Sequence, residues 1–352
     1  MIDPAEIESY RLPPALSKEI FHDAIVPDQL EGLIPQDVPT VVGLIAPPGT
    51  GKSRLGAIIG AQLKQHGGFA DIDSDLLKPY HPKYAALMAK NDELMAACTR
   101  HDGRVWMALL EEYIRKHKFN ALIQETSQDP QATAGKLKAY RQAGARTEGV
   151  LMGVTKALSD QGIVSRYFEQ VADRGQGRLT VQANADESFT GILALADLID
   201  RDALLDLVSI YRRGESKPRY SNSLDDRGLW NGPPQLRTNL EIEHARPLTD
   251  AESREFVDIQ LQLREAIHGR GPEWQERLAR IEQNAIPLLK PADIQRLAPP
   301  TRPSTAAAKS RSTTTARKPN PPKHSPTQGP GSRQQPHQHR PDGPDTGRGR
   351  TR

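Results

Sequence analysis

Cysteine occurs once in the 352 residues, as Cys98, which excludes an internal disulfide and any zinc site built from several cysteines. No apolar run approaches the about 18 residues needed to span a bilayer. The chain does not open on a basic-then-apolar signal segment. A soluble, cytoplasmic protein with no membrane partner is the expectation. Aromatic residues make up only 5% of the chain, and Trp106 and Tyr113, at helical spacing with Leu109 and Leu110, read as core rather than as base-stacking platforms.

The scarcity is sharpest at the end. From Pro299 onward there is no Leu, Ile, Val or aromatic residue, and Pro, Ser, Thr, Arg, Gln and Gly dominate. Such a segment has nothing to bury against the entropy of ordering, so residues 299–352 read as a disordered, Pro/Arg-rich tail. Three lysines and eight arginines against Asp342 and Asp345 leave +9 there, and therefore −6 on residues 1–298 of a chain whose formal total is +3. The basic pI belongs to the tail and does not mark the body as a nucleic-acid binder. Weak contact of the tail with an anionic polymer is the most that it implies.

Against these absences stands one dense motif. Val41-Val42-Gly43-Leu44-Ile45 reads as a buried strand, Ala46-Pro47-Pro48-Gly49-Thr50-Gly51-Lys52-Ser53 as a Gly/Pro-rich turn, and Arg54–Ile59 as the start of a helix. Strand, glycine loop, Lys-Ser and helix in that order are what a phosphate-binding P-loop requires. Glycines let backbone N–H groups turn around an anion, and the helix points its positive end at the same place. Lys52 would reach the β/γ-phosphates and Ser53 would ligand Mg²⁺. The usual first glycine of the motif is Ala46 here. Phosphate contacts carry no information about the base, so ATP and GTP are equally admitted.

Further strands are expected at 38–46, 69–73, 121–124, 147–154 and 207–212, alternating with helices at 51–65, 84–97, 104–117, 156–171 and 186–199. This alternation gives an α/β fold, a parallel central sheet covered on both faces in three layers, with extra helices at both ends. The division is 1–37 as an N-terminal helical segment, 38–245 as the P-loop domain, 246–298 as a helical appendage, and then the tail. Ile72-Asp73-Ser74-Asp75 closes the second strand, in the crevice where open α/β sheets bind ligands. Two aspartates at i and i+2 face one side if the strand persists to Asp75. One would support Mg²⁺ and the other accept a proton from a substrate hydroxyl; a solvated acidic turn is the plain alternative. Gln124-Glu125-Thr126 ends the third strand at the same edge and would hydrogen-bond a substrate. Arg166 and Arg178 flank a Gly-rich loop and would meet the charge of a transferring phosphoryl group. His81 reads as a hydrogen-bonding structural residue.

Together these segments resemble the zeta toxins, P-loop kinases of toxin–antitoxin modules that phosphorylate UDP-N-acetylglucosamine. The likeness runs over roughly residues 10–222: Tyr10-Arg-Leu-Pro, the Ala46–Ser53 loop, Gly67-Gly68, Ile72-Asp73-Ser74-Asp75, His81-Pro82-Lys83-Tyr84, Glu125-Thr126, Arg166-Tyr167, Gly177-Arg178, Tyr211-Arg-Arg-Gly and Tyr220-Ser-Asn. The resemblance implies that Asp75 is the base acting on the sugar 3′-hydroxyl, that Lys52 and Ser53 hold phosphate and Mg²⁺, and that Arg166 and Arg178 stabilise the transferring group; of the two aspartates, Asp73 is then the one left to support the metal. It also implies that Thr126 lies in the substrate pocket and that a cognate antitoxin is the partner. Toxicity would follow from blocked use of a cell-wall precursor. Two positions depart from the family pattern. Gln124 stands where a Glu is usual, with Glu125 beside it, and a frequent His-Asp pair appears as Ala185-Asp186. Two other readings remain: a kinase for a different small-molecule or nucleic-acid hydroxyl, and a non-catalytic nucleotide-binding regulator that uses the basic tail.

Overall fold

Residues 3–298 are described by the computed structural model. Among them, strands β1 (Thr40–Ile45), β2 (Ala70–Ile72), β3 (Ala121–Glu125), β4 (Arg146–Met152), β5 (Leu207–Tyr211) and β6 (Tyr220–Ser223) form one sheet in the order β2-β3-β1-β4-β5-β6. The first five strands are parallel and β6 runs antiparallel beside β5. From central β1 the chain reaches β2 and β3 on one side and then crosses to β4 on the other. The order therefore reverses at β1, which opens a crevice beyond its C-terminal end. Register brings the neighbouring strand ends to the same level, with Ile45 opposite both Glu125 and Leu151.

Strand alternation sends side chains to two apolar layers. Val41, Ile45, Ala121 and Ile123 face a cluster that includes Trp106, Leu110 and Tyr140. These come from α7 (Asp92–His117) and α8 (Pro130–Gln142), and Ile192, Leu195 and Ile199 join them from α10 (Gln182–Asp202). The N-terminal helices α1 (Pro4–Ser9), α2 (Pro14–Ile20) and α3 (Val26–Leu30), with a π-helical turn at Phe21–Ile25, lead into the same layer, where Phe21, Ile25 and Leu30 are buried. Trp106 is fully buried, and its indole N–H donates to Ser17 O at 2.9 Å. Burial of one such side chain is worth roughly 1.5–3 kcal/mol.

The opposite face, with Val42, Leu44 and Leu122, packs under α4 (Lys52–Lys64) and α9 (Lys156–Arg174). Phe256, Val257, Leu278 and Ile281 belong to the same cluster. They come from α12 (Asp250–Ala266) and α13 (Pro272–Ala285), followed by α14 (Pro291–Leu297). The C-terminal helices thus share the apolar core on the P-loop helix side. A Thr249/Glu252 capping box starts α12.

The structure departs from the sequence reading in three places. The expected helix break at 98–103 does not exist: α6 (Tyr84–Lys90) ends at Asn91, and α7 then runs unbroken. Asn91 is extended and its side chain caps the amides of Glu93 and Leu94, while Thr99 donates to Met95 O and Gly103 sits in open space. Strand β2 stops at Ile72, because Asp73 caps a one-turn helix, α5 (Ser74–Leu77). The polar strand β6 and α11 (Leu236–Ala245) were not anticipated. The disordered-tail expectation falls on residues 299–352, outside the described residues. No helix of the described residues is long and apolar enough to cross a membrane.

Candidate active site

The Ala46–Ser53 loop leaves β1 at the crevice, tied to β3 by Ala46 N–H donating to Glu125 O at 3.0 Å. Gly49 and Gly51 hold φ of +77° and +88°, which L side chains rarely adopt. A Cβ on Gly49 would lie 2.2 Å from Ser159 O, and one on Gly162 would lie 2.1 Å from Gly49 O, so the loop and α9 meet backbone to backbone. The loop's carbonyls are taken by side-chain donors: Thr50 Oγ1 to Pro47 O at 2.8 Å, Ser159 Oγ to Pro48 O at 2.7 Å and Arg213 Nη2 to Gly49 O at 2.7 Å. The N-terminus of α4 has no side-chain cap, so its first amides remain for an anion. Lys52 Nζ donates to Ala46 O at 3.1 Å and Glu125 O at 3.3 Å. Burial pushes its pKa down, and the charges of Asp73 and Glu125 work against that shift. Ser53 is exposed beside it.

Across the crevice, Asp73 accepts from Asp75 N–H at 2.9 Å and so starts α5. The two aspartates therefore do not alternate along a strand; they occupy the cap and the first turn of a helix. Burial raises the Asp73 pKa, and the neighbouring Asp75 charge adds to it. Asp75 is held from both sides, by Arg178 Nη1 at 2.6 Å on Oδ2 and by Lys78 Nζ at 2.6 Å on Oδ1. Burial alone would raise its pKa, but the Arg178 and Lys78 bonds and charges take it down to about 2. Arg166 donates to Thr180 Oγ1 at 3.3 Å, and it is close enough to Arg178 and Asp75 for both charges to act on it. Lys52, Asp73, Asp75, Arg166 and Arg178 therefore meet in one place although they span more than a hundred residues.

The third-strand residues divide. Gln124 donates to Asp71 Oδ1 at 2.9 Å, whereas Glu125 receives Lys136 Nζ at 2.5 Å, and Lys136 also holds Glu111 at 2.8 Å. Neighbours on a strand point to opposite faces, so Glu125 does not stand in for Gln124. Thr126 follows at the strand end, half-buried. His81 is buried, within 3.1 Å of Tyr10 O and accepting from Lys83 N–H on Nδ1. Asp186, of the Ala185-Asp186 departure, pairs with Lys156 at 2.8 Å. The sequence reading assigned nothing to Lys78 or Arg213. Lys78 lies one helical turn after Asp75, and Arg213 belongs to the Tyr211-Arg-Arg-Gly run, so both signals were present.

The donor set suits a nucleoside triphosphate with Mg²⁺: an amide cradle, one lysine, a serine hydroxyl and a single aspartate. Among the described residues no three His, Cys, Asp or Glu side chains gather as a metal cluster. Mg²⁺ in phosphate sites commonly takes one or two carboxylates and completes its shell from phosphates and water.

The zeta toxin family model matches residues 26–225, more than half of the chain. The chain belongs to the zeta toxin family. A solved structure from the PezAT chromosomal toxin–antitoxin system of the human pathogen Streptococcus pneumoniae shares its fold at a TM-score of 0.59 and 15% identity, over 78% of this chain and 98% of that one. The AvrRxo1-ORF1:-ORF2 structure with ATP aligns at a TM-score of 0.44 and 14% identity, over 83% of this chain and 87% of that one. No curated protein matches the chain by sequence. Fold and family together make this zeta toxin family member a P-loop kinase of the toxin–antitoxin type.

Proposed function

We propose that this zeta toxin family member transfers the γ-phosphate of ATP to the 3′-hydroxyl of UDP-N-acetylglucosamine, withdrawing a cell-wall precursor, and that a cognate antitoxin restrains it. The observation that carries the proposal is the convergence of Asp75, Arg178, Arg166 and Lys52 beyond the ends of β1–β3, next to an amide cradle. Lys52 would turn from the carbonyls it now meets to the phosphates, and Ser53 and Asp73 would hold Mg²⁺. The bound ion supplies neutralisation of phosphate charge. Arg178 would leave Asp75 for the transferring group, joined by Arg166. Freed of that partner, Asp75 would take the hydroxyl proton as the acceptor oxygen bonds to the γ-phosphorus and ADP departs. Glu125 and Thr126 would face the acceptor.

Gln124 favours a second reading, in which the acceptor is another small hydroxyl compound, because an amide bound to Asp71 replaces the usual carboxylate. Incubation with Mg·ATP and a panel of nucleotide sugars, sugars and oligonucleotide 5′ ends, read by mass spectrometry, separates the two. Phosphorylated UDP-N-acetylglucosamine is the expected product. Label on another acceptor alone would establish the second reading.

A further inference from the structure

Helix α13 lies outside the family-matched stretch, yet one stripe of it runs behind the arginine loop. Trp274 packs on Tyr167 and Phe168 of α9, at ring-centroid distances of 5.1 and 5.0 Å, immediately after Arg166 in sequence. One turn on, Arg277 Nη2 donates to Thr180 O at 3.0 Å. A further turn on, Arg280 reaches Asp186 at the start of α10 at 3.7 Å. Residues three apart share a helix face, so a single face of α13 touches the element before the loop, the loop itself and the element after it. Thr180 is the meeting point: its carbonyl takes Arg277 and its hydroxyl takes Arg166. The loop is also seated on α9 from inside, where a Cβ on Gly177 would come within 2.4 Å of Tyr167 O and Gln170 Oε1 accepts from Arg178 N–H at 2.9 Å.

We infer that α13 is a positioning element of the active site, in which Arg277, acting through Thr180, sets where Arg166 and Arg178 stand for phosphoryl transfer. This rests on the role given above to the two arginines. Loss of the Arg277 contact would let the loop drift, and a misplacement of about 1 Å around reacting atoms costs up to roughly 100-fold in rate. The P-loop, held by other contacts, would keep its nucleotide.

The test compares Arg277→Met, Arg277→Lys, Thr180→Val and Thr180→Ser with the wild type in the full chain. Without nucleotide, amide exchange over residues 175–180 should quicken several-fold in Arg277→Met and return towards wild type in Arg277→Lys, which keeps a donor. With acceptor, kcat should fall about 10- to 100-fold in Arg277→Met and Thr180→Val, with the Kd for Mg·ATP unchanged, and Thr180→Ser should recover most of the rate. Exchange and kcat both at wild-type values in Arg277→Met would overturn the inference. Where that variant does not fold, equal kcat in Thr180→Val and Thr180→Ser does the same. If the wild type transfers nothing to UDP-N-acetylglucosamine, the acceptor reading fails, and the exchange comparison still decides the brace.

Discussion

The two halves of the crevice are built differently. The phosphate half is backbone: positive-φ glycines, carbonyls held by Thr50, Ser159 and Arg213, and a helix start without a side-chain cap. The half proposed to take the acceptor is side chain against side chain: Asp75 with Arg178 and Lys78, Glu125 with Lys136, Gln124 with Asp71. The first half is preformed, because nothing in it has to change partners except Lys52. The second is closed on itself, and in the reaction proposed above it would open by exchange. Magnitudes favour that exchange. Asp75 and Arg178 are 51% and 53% exposed, and such pairs contribute about 0–1 kcal/mol. A guanidinium on phosphate oxygens in a site shielded from water is worth several times that.

Lys52→Ala breaks the comparison on the phosphate side and should have the largest effect. With γ-phosphate charge uncompensated, transfer should drop by roughly 10³-fold or more, and any growth inhibition on expression should vanish. Wild-type turnover would remove the cradle from the account. Asp75→Asn tests the other half. Nucleotide affinity should persist while transfer slows by roughly 10²–10⁴-fold, the worth of a positioned general base. Asp73→Asn should cost less, and a larger loss there would reverse the two roles.

Gly49→Ala asks whether the cradle is as rigid as its contacts imply. A methyl at φ +77°, 2.2 Å from Ser159 O, should cost about 2–4 kcal/mol of stability and weaken nucleotide binding. Unchanged denaturant midpoint and nucleotide Kd would show that loop and α9 part easily. The smallest effect lies outside both halves. Burial lowers the His244 pKa from 6.5 to about 4, opposed by the Glu243 charge, and the ring is stacked on Phe189 at 4.3 Å. The unfolded chain takes up the proton first, so stability is complete above about pH 6.5 and declines as pH falls towards 4. His244→Phe should flatten the melting temperature over that window, and an unchanged slope would contradict the assignment.

This division also decides what the sequence could reveal. A cradle made of consecutive residues that join a strand to a helix is local, so β1, the loop and α4 are readable from Val41 to Ile59. Asp75 and Arg178 stand 103 residues apart, and only the spacing shared with a family linked them beforehand. Arg213 and Arg277 act across the fold, on carbonyls 164 and 97 residues away, whereas Lys78 reaches Asp75 within one helical turn. Strand β6 was missed because Tyr-Ser-Asn-Ser carries no apolar alternation. It is held by β5 and by Asn222 donating to the carbonyls of Gly232 and Pro233. No break falls between 97 and 104 because α7 carries Asp102 into the core, where it is buried and accepts from Leu12 N–H at 3.3 Å.

A crystal structure with Mg²⁺ and a non-hydrolysable ATP analogue tests most directly whether one half is preformed and the other opens by exchange. The account predicts a backbone at 46–53 that superimposes on the ligand-free loop, Arg178 on the γ-phosphate oxygens, and Asp75 left with Lys78 alone and facing the acceptor. A nucleotide bound with the Asp75–Arg178 pair intact would contradict it, as would a loop that has to refold around the phosphates.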